Sequence, residues 1–508
     1  MRAGSSIARR LSSSTSIGVG STLSLALEDK FCARTYSPLP FVIARAQGVM
    51  TWSPEGTQRM DFLSAFSAVN QGHCHPVRGP CALAASRAAH APRQPTPADP
   101  TPTLPSPPSL ARAAQKIIEA LVSQASRVTL VSRAFHSDSL GPYAQLLCET
   151  LGYERMLPQN SGVEGWEVAL KLARKWAYTT RRVAPDKAVV LFPEGNFGGR
   201  TLAAVSASTD PASYGGYGPL LPGIRHVPFG DARAVAAALA ADPNVIAFYT
   251  EPIQGEAGIV LPPPGYLADV KRACEQHGAL LIADEVQTGL GRTGALLASW
   301  GAGGFAPGGP TAPPEAVRPD IVVLGKALGG GVLPVSAVLA DDAVMLTIRP
   351  GEHGSTFGGN PLAAAVAAAS LRVILEERLC ENAAARGREL LAGYAALAAA
   401  HPTLFKEARG VGLMHALEMR EGAHDALGAP LSALDVCLAL GRAGEAHGAP
   451  LGLLTKPTHG STIRLTPPLV ITRAQAALAL EVLGSVVGQL AAGGAARAGG
   501  GSGRRQLW

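Results

Sequence analysis

An acid and an amine, each delivered at the end of a short apolar run, carry the chemistry legible in this chain. Asp284 follows Ala279-Leu280-Leu281-Ile282-Ala283, and Lys326 follows Ile321-Val322-Val323-Leu324-Gly325. Such runs read as strands buried on both faces of a parallel sheet, and open α/β sheets gather their chemistry at the carboxyl ends of strands. A lysine there can form a Schiff base with an aldehyde. A carboxylate beside it can hold a pyridine nitrogen protonated, so that the ring accepts electrons. Either residue alone reads as an ordinary buried acid or a surface lysine; together they suit pyridoxal 5'-phosphate.

The surrounding motifs extend that expectation. A phosphate needs a helix N-terminus, where unpaired N–H groups and the helix dipole meet the anion. Asn160-Ser161-Gly162-Val163-Glu164 opens a helical stretch with capping-box spacing between Ser161 and Glu164. Gly195-Asn196-Phe197-Gly198-Gly199-Arg200-Thr201 and Glu251-Pro252-Ile253-Gln254-Gly255-Glu256-Ala257-Gly258 each follow an apolar run. They bring an aromatic ring, an arginine and an acid pair to the same sheet edge. Phe197 could cover one face of a pyridine ring. Arg200, and Arg464 in Ile463-Arg464-Leu465-Thr466-Pro467-Pro468, are candidate carboxylate clamps.

The elements that must position these residues alternate from about residue 145 onward. Strands are expected at 188–192, 245–250, 279–283, 321–324 and 335–340, with helices between them such as Val163–Ala177 and Pro264–His277. That alternation predicts an α/β fold with a mostly parallel central sheet. After Gly359-Asn360-Pro361 alanine-rich helices and mixed strands predict a smaller α+β domain that also uses the N-terminal part. The expected organisation is a leader over 1–27, an N-terminal piece of the small domain over 28–71 and a large cofactor-binding domain over 72–345. The rest of the small domain follows over 346–490, with a flexible tail over 491–508. Within the large domain, Val77–Gln115 holds nine prolines in 39 residues and only Asp99 as an acid, so it is expected to be a disordered insertion.

The formal charge of +6 does not point to nucleic acid. Arg2, Arg9 and Arg10 at one end and Arg497, Arg504 and Arg505 at the other account for the whole excess and leave a neutral body. Seven scattered cysteines without a CxxC spacing indicate neither a disulfide framework nor a zinc site. His73-Cys74-His75 has no second cluster beside it, and local packing is the expectation there. No apolar run approaches the roughly 20 residues needed to span a bilayer. The first 27 residues are rich in Ser and Arg and free of acid, the profile of an organelle transit peptide. Mitochondrial matrix is the expected address, with chloroplast or cytoplasm as alternatives.

Taken with further motifs, the chain resembles the class III, fold type I aminotransferases, and among them the ornithine aminotransferases. The resemblance rests on YSPLP at 36–40, SAVNQGHCHP at 67–76, SRAF at 132–135, EPIQGEAG at 251–258 and IADEVQTG at 282–289. It continues through GKALGG at 325–330, GEHGSTFGGNP at 351–361 and LTKPTHG at 454–460, and runs from about residue 28 to 490. It implies that Lys326 is the Schiff-base lysine, Asp284 the partner of the pyridine nitrogen and Phe197 the stacking ring. Gln287 would hydrogen-bond the phenolic oxygen, while Ser161, Gly162, Val163 and Val286 would line the cofactor. In a family of homodimers, Thr356 would reach the phosphate of the neighbouring subunit. Tyr36 and Arg200 would hold the α-carboxylate of ornithine. Glu256 would mask Arg464 in that half-reaction and release it to 2-oxoglutarate in the other.

Three departures stand out. Phe66 occupies a position where ornithine aminotransferases usually place a substrate-facing tyrosine, Phe357 replaces another tyrosine, and Val77–Gln115 interrupts the family pattern. The alternatives to an ornithine enzyme are another ω-aminotransferase, for acetylornithine or 4-aminobutyrate, or a pyridoxal-phosphate-binding homologue without turnover.

Overall fold

In a computed structural model, the described residues are 20–75, 116–301, 316–446 and 448–493. The central sheet has seven strands in the order Arg155–Gln159, Ser336–Ala340, Ile321–Leu324, Leu280–Asp284, Val245–Thr250, Val189–Pro193, Ile224–Val227. The last five are mutually parallel, whereas Ser336–Ala340 runs antiparallel to both of its neighbours. Successive residues point to opposite faces, and here both faces are covered. Val190, Phe192, Ile282 and Val323 pack with Trp166, Leu172 and Ala173 of the helix Gly162–Trp176. Leu191, Phe248 and Leu281 pack with Val235 and Leu239 of Ala232–Ala241 and Val270 and Cys274 of Tyr266–Gln276. This two-sided burial explains why the central strands read as continuous apolar runs rather than alternating ones.

The two strands absent from the sequence reading, Arg155–Gln159 and Ile224–Val227, lie at the two edges of the sheet. RMLPQ and IRHV carry charge and, in the first, proline, which edge strands tolerate because one side lacks a ladder partner.

Two smaller sheets complete the body. Arg45–Gln47, Met50–Trp52 and Gln58–Asp61 form a sheet that the C-terminal strand Gly452–Leu454 joins in parallel. Chain segments nearly four hundred residues apart thus share one sheet. Phe405–Val411, Met414–Met419, Thr462–Leu465 and Lys456–Thr458 form the other, all antiparallel. Pro361–Glu376 packs with Lys116–Ala125 and Leu140–Leu151, while the helices on the two smaller sheets are Leu379–Ala400, Ala433–Gly441 and Arg473–Ala491.

The last of these corrects an expectation. Arg473–Ala491 is long and apolar enough, by length and composition, to cross a membrane. Gln, Gly and Ser interspersed in it hide this from a search for unbroken apolar runs. Its Ala476, Ala479, Val482, Leu483, Val486, Val487 and Leu490 are buried in the main core cluster beside Leu390 and Val436.

Of the leader expected over 1–27 and the tail expected over 491–508, residues 1–19 and 494–508 fall outside the described residues, while Ser21–Phe31 is a helix with no buried residue. The insertion reading at 77–115 also falls outside them. Its flanks are informative nevertheless. His75 Nε2 lies 3.2 Å from Glu377 Oε2, and Lys116 Nζ lies 3.9 Å from Glu377 Oε1 and 2.7 Å from Glu376 Oε2. The chain therefore departs and returns at the end of one helix. Removing Val77–Gln115 is expected to leave solubility and thermal stability unchanged, because long insertions contribute little closure cost and no core. A deletion variant that fails to fold would show that the segment packs on the body.

Candidate active site

Three adjacent parallel strands end at one edge, and each hands a titratable side chain to it. Asp284 is the last residue of Leu280–Asp284, Lys326 follows Ile321–Leu324 through Gly325, and Glu251 follows Val245–Thr250. Asp284 is buried, and its Oδ1 accepts the Val286 N–H at 3.0 Å. Burial pushes its carboxyl up to about 6, against the pull of that N–H and of the Lys326 amine. Lys326 opens a short 3₁₀ turn with φ at +42°. Burial holds its amine below the ordinary lysine value; Asp284 opposes the shift and Arg464 adds to it.

Glu251 is the functional candidate to which no role was attached from sequence. Its Oε1 accepts the Phe197 N–H at 3.1 Å and its Oε2 the Gly255 N–H at 3.0 Å. Burial, with Asp284 next to it, pushes this carboxyl up to about 8. The signal was available: Glu251 ends a wholly buried apolar strand just as Asp284 does.

A cradle lies at the start of Gly162–Trp176. Ser161 caps it in a complete capping box, its Oγ accepting the Glu164 N–H at 3.3 Å while Glu164 Oε2 accepts the Ser161 N–H at 2.7 Å. The N–H groups of Gly162 and Val163, by contrast, have no partner among the described residues. A Cβ on Gly162 would stand 3.0 Å from Val286 Cγ1, so this helix end and the loop after Asp284 touch. The loop carrying Phe197 also closes on it. Gly199 has φ at +130°, and a Cβ there would come within 2.5 Å of Val163 Cγ2. Phe197 is partly buried, with the Arg200 guanidinium 5.3 Å from its ring centroid; Arg200 is exposed and donates to Ser213 Oγ at 2.7 Å.

Opposite this edge, Arg464 is fully buried in the strand Thr462–Leu465. Its Nη1 donates to Glu256 Oε2 at 2.9 Å and its Nη2 to Gln287 Oε1 at 2.6 Å, and the Phe66 ring centroid lies 4.6 Å away. Its Nε is buried without a partner. Burial works to raise the Glu256 carboxyl, but Arg464 first, then Lys326 and His459, outweigh it and hold it below its ordinary range. Phe66 sits in a turn, Ser64–Ser67, in which all four residues have left-handed φ. Asp61 Oδ1 braces that turn by accepting the N–H groups of Leu63 and Ser64.

The structure thus gathers Asp284, Lys326, Glu251, Glu256, Gln287, Phe197, Phe66 and Arg464 around one edge, with Ser161, Gly162, Val163 and Val286 beside it. Two predicted residues stand apart. Tyr36 is 78 % exposed, with Lys456 Nζ 5.9 Å from its ring centroid. Thr356 is exposed, while its neighbour Ser355 accepts Asn160 Nδ2–H at 3.0 Å. His73 and His75 pair with Asp61 and Glu377, and no group of three or more His, Cys, Asp or Glu that could hold a metal occurs among the described residues.

The sequence profile described as aminotransferase class III matches residues 110–487. The chain belongs to the class III aminotransferases. It is 44 % identical to the mitochondrial ornithine aminotransferase of Rattus norvegicus over 91 % of this chain and 89 % of that protein. The crystal structure of the ornithine aminotransferase from Toxoplasma gondii ME49 superposes with a TM-score of 0.78 at 35 % identity, covering 96 % of this chain and 99 % of that one. The acetylornithine aminotransferase from Elizabethkingia anophelis gives a TM-score of 0.72 at 37 % identity, over 92 % and 99 % of the two chains.

The cofactor of this aminotransferase family is pyridoxal phosphate, and the residues present fit it. Two unpartnered N–H groups at a helix N-terminus suit a dianionic phosphate. A buried carboxylate suits a protonated ring nitrogen, and a buried amine suits an aldehyde.

Proposed function

We propose that this class III aminotransferase is an ornithine δ-aminotransferase. It moves the δ-amino group of L-ornithine to 2-oxoglutarate, giving glutamate 5-semialdehyde, which cyclises to pyrroline-5-carboxylate, and glutamate. The observation that carries this reading is the buried Arg464 paired with Glu256 beside the Lys326 amine. A site that must accept a substrate with a positive side chain and then one with a second carboxylate needs an arginine that can be covered and uncovered. The unpartnered Nε of Arg464 leaves it capacity for that carboxylate.

When bound, pyridoxal phosphate supplies an aldehyde that takes up amines and a ring that accepts the electron pair left by a departing proton. The protein's part is to hold and aim it. The Gly162 and Val163 N–H groups would take its phosphate, and Phe197, fixed through its N–H by Glu251, would lie against its ring. Asp284 would keep the ring nitrogen protonated. Lys326, with its amine biased toward the neutral form by burial, moves the proton at the substrate carbon. Gln287, already accepting from Arg464, would have its amide nitrogen available for the phenolic oxygen. Arg200, beside Phe197, would hold the α-carboxylate of ornithine and so aim its δ-amine at the aldehyde, and Tyr36, which stands apart from the gathered residues, would have to swing in to share that carboxylate.

A homodimer, completed by Thr356 reaching the partner's phosphate, accords with the exposure of Thr356. A mitochondrial address accords with the acid-free, Ser- and Arg-rich first 27 residues and with the relative named mitochondrial.

Phe66 tests substrate choice. It keeps the apolar wall and faces Arg464, but it lacks the hydroxyl that would bond ornithine. A hydrogen bond to a charged group contributes about 1.5–3 kcal/mol, which is about tenfold to a hundredfold in affinity. In a panel of amino donors with 2-oxoglutarate, ornithine is expected to be the best, with a weakened preference over 4-aminobutyrate. Phe66→Tyr is expected to raise the ratio of kcat/KM for ornithine over 4-aminobutyrate. A wild-type protein that prefers 4-aminobutyrate or acetylornithine would leave the aminotransferase and remove the substrate.

A further inference from the structure

The hairpin that carries Glu256 is held less by its own strand than by the small antiparallel sheet that carries Arg464. In that sheet Arg409, Ala416, Arg464 and Lys456 are successive partners across four strands. Directly opposed residues share a face, so these four side chains form one row, and the row faces the segment Glu251–Val260. Arg409 reaches that segment with two of its nitrogens, Nε donating to Ile259 O at 2.9 Å and Nη2 to Gly258 O at 2.7 Å. Its Nη1 is held by Glu407 at 2.7 Å and by Glu418. The guanidinium is thus aimed by two acids on its own sheet at two carbonyls of another element.

Those carbonyls belong to an unusual backbone. Ile259 is fully buried with φ at +57°, a conformation that a β-branched residue rarely adopts. Gly258 precedes it at φ +109°, and a Cβ there would stand 3.3 Å from Thr462 Oγ1. Strain of this kind persists only where the surroundings over-determine it. Here Ile259 packs on Met414 and Ala416, which share the row's face of their strand, and Arg409 holds both carbonyls. Across the hairpin, Gln254 and Val260 exchange both backbone hydrogen bonds, and His459 from the same small sheet region lies 3.0 Å from Glu256 O. Glu256 stands at the turn between these attachments, with its carboxylate on Arg464.

We infer that Arg409 is a positioning residue that fixes Glu256 over Arg464 and so sets how the site divides between its two substrates. This rests on the reading of Glu256 and Arg464 as a pair that is covered and uncovered. The bidentate grip matters because a planar guanidinium spans two adjacent carbonyls and a lysine ammonium does not. Without it, the Ile259 backbone relaxes, Glu256 leaves Arg464 more readily, and the arginine is open to the α-carboxylate of glutamate in the step meant for ornithine.

The test is the ratio of glutamate-driven to ornithine-driven bleaching of the cofactor-loaded protein, followed by stopped flow at matched donor concentrations. Arg409→Ala is expected to raise that ratio about tenfold, the scale of one lost charge-assisted hydrogen bond. Arg409→Lys, which keeps a charge beside Glu418, is expected to raise it by less, and it carries the test if the alanine variant is insoluble. In a Glu256→Ala background, Arg409→Ala is expected to change the ratio no further, since there is then no carboxylate to position. Equal slowing of both half-reactions, or a ratio shift that persists without Glu256, would overturn the inference while leaving the Glu256–Arg464 pair intact. A ratio unmoved by Glu256→Ala alone would overturn that pair and the inference together.

Discussion

Replacing Lys326 by alanine is expected to lower transamination by several orders of magnitude while leaving the fold in place. The side chain emerges at the sheet edge next to Asp284, and its amine is held below its ordinary value by burial. An amine shifted toward its neutral form by burial and held at one place on the sheet edge combines base strength with position, two contributions that multiply. Alanine removes both, and neither Glu251 nor Glu256 replaces them. Glu251 is committed to the Phe197 and Gly255 N–H groups, and Glu256 to Arg464. The cofactor should still bind through the Gly162 and Val163 N–H groups, so the variant is expected to take it up from solution without turning over. Near-normal turnover would detach the chemistry from this sheet edge.

Arg464→Ala is expected to separate the two half-reactions. The 2-oxoglutarate half loses the clamp for its α-carboxylate. Each charge-assisted hydrogen bond contributes about 1.5–3 kcal/mol, so a two-point clamp amounts to a hundredfold or more on the scale of about 1.4 kcal/mol per tenfold. The ornithine half, in which Glu256 covers the arginine, is expected to change far less. Glu256→Ala should act in the opposite sense and let glutamate compete better as donor. It also leaves a fully buried guanidinium short of one partner, so a lower Tm is expected with it, moderated because Glu256 is itself partly exposed and Gln287 still holds the arginine. Equal losses in both halves for Arg464→Ala would make the arginine structural.

The reach of the sequence follows from how each element is buried. Leu280–Asp284 and Ile321–Leu324 are covered on both faces, so their residues are apolar without a break and their ends can be read to within a residue. Arg155–Gln159 and Ile224–Val227 are edge strands and carry no such mark. The capping box at Ser161 was legible because it is local, with donor and acceptor three residues apart. The row Arg409–Ala416–Arg464 was not, because it is closed by strand register between Ala416 and Arg464, which are far apart in the chain. Arg292 was missed for a related reason. It is fully buried and donates to Leu413 O, Pro467 O and Asn70 Oδ1, joining three distant segments in a way no spacing announces. Phe66 was legible as a residue but not as a conformation, since nothing in SAFS predicts four left-handed residues in succession.

The central claim is that one pocket built on Lys326 and Asp284 takes ornithine and then 2-oxoglutarate. Its most direct test is a single-turnover experiment with cofactor-loaded protein and no oxo acid present. Ornithine is expected to bleach the visible absorbance of the cofactor faster than 4-aminobutyrate or acetylornithine at the same concentration. Addition of 2-oxoglutarate is then expected to restore it, with pyrroline-5-carboxylate recovered from the first step. Faster bleaching by 4-aminobutyrate or acetylornithine would contradict the substrate, and no bleaching by any of the three would contradict the site.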